Sequence, residues 1–174
     1  MPSRFLVTVA LLPLALAVTL PLAPALAQGT RLSEPAGRFS YVVPAGWRIR
    51  PFPGLKYKVC YTTPANGFAP NINTVDEVTP MAMGPYMQLS ISHMKLAYTK
   101  LHILGQKPFV TASGIHGIRM ATDGVVGDKH MHQVFYVFPG ANNRKYVLTA
   151  SSLASDRGKY DAATDASMRT FKLQ

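Results

Sequence analysis

The stretch from Ile115 to Leu153, IHGIRMATDGVVGDKHMHQVFYVFPGANNRKYVLTASSL, alternates apolar and polar residues three times with two short interruptions. It reads as strands over Ile115–Asp123, Asp128–Phe138 and Lys145–Leu153, joined by GVVG and PGANNR. Connections that short imply antiparallel neighbours, because a parallel crossover consumes about a dozen residues or more. A three-stranded antiparallel meander is therefore the unit around which the rest must pack.

Upstream of it the period changes. Between Pro85 and Leu104, Met87, Ile91, Met94, Ala97, Tyr98, Leu101 and Leu104 recur at spacings of three and four, with Gln88, Ser92, Lys95, Thr99 and His102 opposite. That pattern predicts one amphipathic helix packed on a sheet, with Pro85 in its first turn where a missing N–H costs nothing. Farther upstream, Phe39–Val43, Trp47–Phe52, Tyr57–Thr62 and Asn71–Val78 have strand character and are bounded by proline or glycine. Pro44 and Gly46 mark a corner, after which Trp47 begins the next strand with its indole on the core. Downstream, Gly158–Arg169 predicts a short helix with Asp165 and Arg169 one turn apart. The expected class is α+β: an α/β/α sandwich in which one long and one short helix pack on a central antiparallel sheet.

The N-terminus predicts a destination. Arg4 precedes an apolar run from Phe5 to Leu22, broken by Pro13 and Pro21, and Ala25-Leu26-Ala27 supplies a small-x-small cleavage pattern. Residues 1–27 read as a secretory signal peptide cleaved near Ala27, leaving no transmembrane span and a periplasmic or secreted protein. Residues 28–37 form a polar, loosely held lead-in, and 38–174 a single domain. Cys60, the only cysteine, has no partner for an internal disulfide and reads as a small buried hydrophobe. Eighteen Lys and Arg against eight Asp and Glu give a net charge of +10. The basic residues are scattered, without the dense aromatic-interleaved stripe of nucleic-acid binding. An acidic envelope protein or an anionic envelope component is the expected partner.

Taken in order, FSYVVPAGW, the loop and strand YTTPANGFAPNINTVDEV, one long helix, a meander and the closing SMRTFKL resemble the PsbP-like superfamily. That superfamily includes the photosystem II extrinsic protein PsbP, the Ran-binding factor Mog and bacterial envelope proteins of the DcrB kind. The resemblance spans about Arg38 to Leu173. It implies an α/β/α sandwich and a binding or assembly-accessory role, and carries no shared catalytic motif.

The residues themselves offer three site candidates. In DKHMHQVFYVF, Asp128, His130 and His132 alternate along a strand and could hold zinc or copper. If GVVG pairs Asp123 with Asp128, Arg119 falls opposite His132, and His116 lies on the other face. His93 and His102 belong to the long helix. The second candidate is Phe68 in the loop PANGFAPN, either an exposed recognition anchor or a loop residue tucked back onto the core. The third is the basic set Arg48, Arg50, Lys56 and Lys58 beside Trp47, suited to an anionic partner. G-x-S-x-G, H-E-x-x-H and phosphate-cradling glycine loops are absent, and Asp76 and Glu77 are adjacent, so a strand points them apart. The sequence predicts a non-enzymatic exported binding module without a cofactor, with a periplasmic metal-binding protein as the alternative.

Overall fold

The computed structural model describes residues 29–174; the expected signal peptide, its cleavage site and Gln28 lie outside them. The strands are Arg31–Glu34 (β1), Phe39–Val42 (β2), Arg48–Arg50 (β3), Val59–Tyr61 (β4), Asn71–Val78 (β5), Thr99–Val110 (β6), His116–Val126 (β7), Lys129–Pro139 (β8), Arg144–Leu153 (β9) and Lys172–Leu173 (β10). The helices are Met83–Ala97 (α1) and Asp161–Arg169 (α2). Seven strands form one antiparallel sheet in the order β3-β4-β5-β9-β8-β7-β6, and β1-β2-β10 form a smaller one.

The predicted meander is present as β7-β8-β9, but its first turn is tighter than expected. Val125 and Val126 are β-branched and stay in the strand, so the turn contracts to Gly127–Asp128, with Gly127 at φ +62°. This is the glycine-first geometry that matches strand twist in a two-residue hairpin. Asp123 therefore faces His132 and Arg119 faces Tyr136, not Asp128 and His132 as the longer turn would require. The shift is even, so every side chain keeps its predicted face, and His116 does lie on the other face of the sheet from His132.

Two further expectations are corrected. The helix does not run to Leu104: α1 ends at Ala97, Lys100 takes φ +56°, and β6 pairs along β7. Leu101 and Leu104 continue the helical spacing by coincidence, and tertiary pairing with β7 overrides it. The lead-in is not loose, because β1 pairs with β2 through four residues and buries Leu32.

The central sheet is covered on both faces. On one, β1, β2, β10 and α2 enclose Phe39, Tyr41, Tyr136, Phe138, Leu148 and Phe171. The rings of Phe138 and Phe171 stack 4.6 Å apart and anchor the chain end between the sheets. On the other, α1 lays Tyr86 and Met87 over Met120, Phe135 and Val137. The corner at Pro44–Trp47 closes through Trp47 N–H to the Pro44 carbonyl at 3.1 Å, with Gly46 at φ +78°.

Candidate binding groove

Strand alternation decides what each face displays. Even-numbered residues of β5, Ile72 and Thr74, turn toward the small sheet, so Asn71 and Asn73 turn toward the α1 side. The same parity puts Gln133 of β8 on that side, cross-strand from Ser151 of β9. α1 is too short to cover the whole face, and the uncovered end is a groove.

Two adjoining cavities of about 210 and 290 Å³ form it, and both are bounded by Asn71 and Asn73. The first is walled by Arg50, Phe52, Leu55 and Tyr61, the second by Phe68, Val126, Lys129 and Met131. Together they reach the size of small-molecule pockets, roughly 300–1,000 Å³. Side chains order the polar floor. Tyr98 O–H donates to Gln133 Oε1 at 2.5 Å, and Gln133 Nε2 donates to Ser151 Oγ at 2.9 Å. The phenol is a donor at neutral pH at its ordinary pKa, and burial pushes it further up. Asn71 gives one amide hydrogen to the Ala69 carbonyl at 2.9 Å and retains the other.

The groove is electrostatically one-sided. The Arg50 guanidinium lies over the rings of Tyr61 and Phe52, 4.8 and 5.4 Å from their centroids. Lys129 stands at the far side, with the exposed Asp128 carboxylate 3.8 Å from it. Among the described residues no carboxylate lines either cavity.

Among the residues singled out in the sequence, Arg50 and Phe68 line this groove, and Arg48 shares the Arg50 face opposite Tyr61. Lys56 and Lys58 do not join them: Lys56 pairs with Asp76 at 2.7 Å and Lys58 with Glu34 at 3.6 Å. Trp47 is half-buried against the opposite core, edge-on to Tyr160 at 6.0 Å. Asn71, Asn73, Tyr98, Lys129 and Gln133 were not singled out. Only the alternation in NINTV points to one of these pairs, since the rest converge through strand pairing.

Asp128, His130 and His132 do not converge. Asp128 occupies the turn with its side chain 89% exposed, His130 is exposed, and His132 is buried. Among the described residues no group of three or more His, Cys, Asp or Glu is placed to hold a metal ion. His132 belongs instead to a packed charge cluster beneath α2. Its Nδ1 lies 2.8 Å from Asp123 Oδ1 and its Nε2 3.2 Å from Asp161 Oδ1. Arg119 bridges Asp161 at 2.9 Å and Asp165 at 2.7 Å, Tyr136 O–H donates to Asp165, and Arg157 closes on Asp123. Asp165 thus serves the sheet rather than Arg169, whose guanidinium lies over the Phe109 ring. Both imidazole nitrogens are occupied by carboxylates, which makes this a clamp between α2 and the sheet.

No protein-family model matches the chain, and no curated protein matches it. Solved structures do. Cyanobacterial PsbP (CyanoP) from Synechocystis sp. PCC 6803 superposes with a TM-score of 0.59 at 12% identity, over 83% of this chain and 92% of that one. LpqN, involved in cell envelope biogenesis of Mycobacterium tuberculosis, superposes with a TM-score of 0.62 at 14% identity, over 84% and 85%. The fold is PsbP-like.

Proposed function

We propose that this PsbP-like chain is an exported, non-enzymatic binding or assembly-accessory module of the bacterial cell envelope. The observation that carries the reading is the groove: a preformed concavity with a polar floor, aromatic walls, two cations and, among the described residues, no lining carboxylate. Export to a periplasm or to the outside of the cell is supported by the N-terminal apolar run and Ala25-Leu26-Ala27. An envelope setting is supported by the fold shared with LpqN, itself an envelope-biogenesis protein. A binding rather than catalytic role is supported by the state of the acid–base groups: Asp123, His132 and Asp161 hold one another, away from the groove.

In-cell cross-linking of the envelope, comparing wild type with Arg50→Glu/Lys129→Glu, tests this. The double reversal is expected to remove a specific cross-linked species, while Lys107→Glu, on the exposed edge strand β6, leaves it intact. Identical cross-linking by all three proteins would overturn the groove as the binding surface.

A further inference from the structure

Resting on that reading, we propose that the groove takes an anionic oligosaccharide. The floor comes from β5, β9 and β8, interior strands whose backbone groups are consumed in the sheet ladder. On this floor an entering peptide finds no open strand edge, the edge strand β3 lying at the Arg50 wall, so recognition on the floor falls to side chains. Those side chains are amides and a hydroxyl, groups that donate and accept at once. Asn71 has a second amide hydrogen to give, and Ser151, which accepts from Gln133, retains its own hydroxyl proton. Sugar hydroxyls have the same dual character. A lipid chain would instead leave these groups without partners, at a cost of about 1–3 kcal/mol for each one buried.

The walls supply the complementary half. Phe68 supplies an aromatic wall for the apolar C–H face of a pyranose, Phe52 and Tyr61 carry Arg50 on their rings, and the sign of the charge selects an anion. Arg50 stands on β3, in the row of Asn73, Thr149 and Phe135, and Lys129 stands on β8 six residues beyond Phe135, so four strand spacings and that offset separate their backbones by roughly 28 Å. Two cations at that separation suit a chain with repeated charges better than one phosphate. The Arg50 guanidinium is held in place by its two rings, so a carboxylate or sulfate meets a preset partner.

The test titrates the purified protein with oligogalacturonate, a sulfated heparin oligosaccharide and carboxyl-reduced oligogalacturonate, following amide shifts by NMR. Hexaglutamate and phosphatidylglycerol vesicles are the competing arms. At least one anionic sugar is expected to shift Asn71, Asn73, Gln133 and Ser151. The neutral sugar should bind at least about tenfold more weakly, and Arg50→Gln and Lys129→Gln should each weaken the anionic sugar by about tenfold. Asn73→Ala, which leaves the charge unaltered, should also weaken it. Sugar binding that ignores these variants, or spreads over Lys107 and Lys172, is adsorption to a protein of net charge +10 and overturns the proposal. So does binding of the peptide or vesicles alone at the groove, or of no probe. In those cases the envelope cross-link still reports separately on whether the groove binds anything.

Discussion

Asp76 illustrates how much one buried carboxylate organises. Its Oδ1 accepts from Lys56 Nζ at 2.7 Å and from Tyr57 O–H at 2.9 Å, and its Oδ2 accepts from Arg144. Burial alone would raise its pKa. The hydrogen bonds from Lys56 and Tyr57 and the charges of Lys56 and Arg144 outweigh burial and hold it below its usual range. A depressed folded-state pKa adds stability that is complete above the unfolded carboxyl's value of about 3.9 and is lost as pH falls through the folded value. Asp76→Asn should therefore be less stable than wild type at pH 7, by roughly 1–3 kcal/mol, in urea titrations. The gap should shrink below about pH 4; a gap independent of pH would remove the ionised carboxylate from the account. Adjacency made the opposed faces of Asp76 and Glu77 legible, and Glu77 indeed turns the other way to accept from Tyr86 O–H at 2.5 Å. The partners of Asp76 were not legible, because Arg144 is 68 residues away and arrives only through β5–β9 pairing.

Among the elements, seven of the ten strands lie where the sequence predicts them, and β1, β6, β10 and the helix end do not follow from it. Asn71–Val78 is the strand its composition announces, and the meander appears where short glycine and asparagine connections place it, with Asn142 and Asn143 at positive φ in its second turn. These signals are local: alternation, β-branching and turn residues act within a few positions. The α1–β6 boundary depends instead on β7, which draws Thr99–Val110 into the sheet with register shifts near its start. Tyr98, at that junction, became the clamp on the groove floor, so the misread boundary also hid part of the site. Packing along α1 is accordingly uneven, with Met87 at 2% exposure and Leu96 at 87%. Met87→Ala should cost about 2–4 kcal/mol by removing a buried side chain under the helix. Leu96→Glu should stay within about 0.5 kcal/mol of wild type. Equal losses in chemical denaturation would mean that the C-terminal turn of α1 is packed. The edge strand β6 has its own safeguards, since Lys100, Lys107, Pro108 and the irregular start discourage pairing with another chain.

At the scale of the whole molecule, the two sheets and α2 share a single core. Phe171 contacts it from the last residues of the chain: its ring stacks with Phe39 of β2 at 5.7 Å and Phe138 of β8 at 4.6 Å, and only the cap residue Thr170 separates it from α2. β10 then pairs with β2, and the Gln174 N–H reaches the Arg38 carbonyl at 2.8 Å. The small sheet is thus fastened to the large one by the chain's end and has no core of its own, while the large sheet packs α1 on its other face. Unfolding should be one cooperative transition. Two reporters at different places check this. Trp47 sits against Tyr160 at the α2 side, and Cys60 is buried in β4, where burial pushes its thiol up to about 11. The thiol should resist alkylation in the folded protein and react in step with the loss of native Trp47 fluorescence. Phe171→Ala should lower stability by about 3–5 kcal/mol and shift both reporters together. If Cys60 became reactive while the Trp47 signal remained native, the early strands would be a separately opening unit. The Arg50 wall of the groove would then be mobile rather than preset.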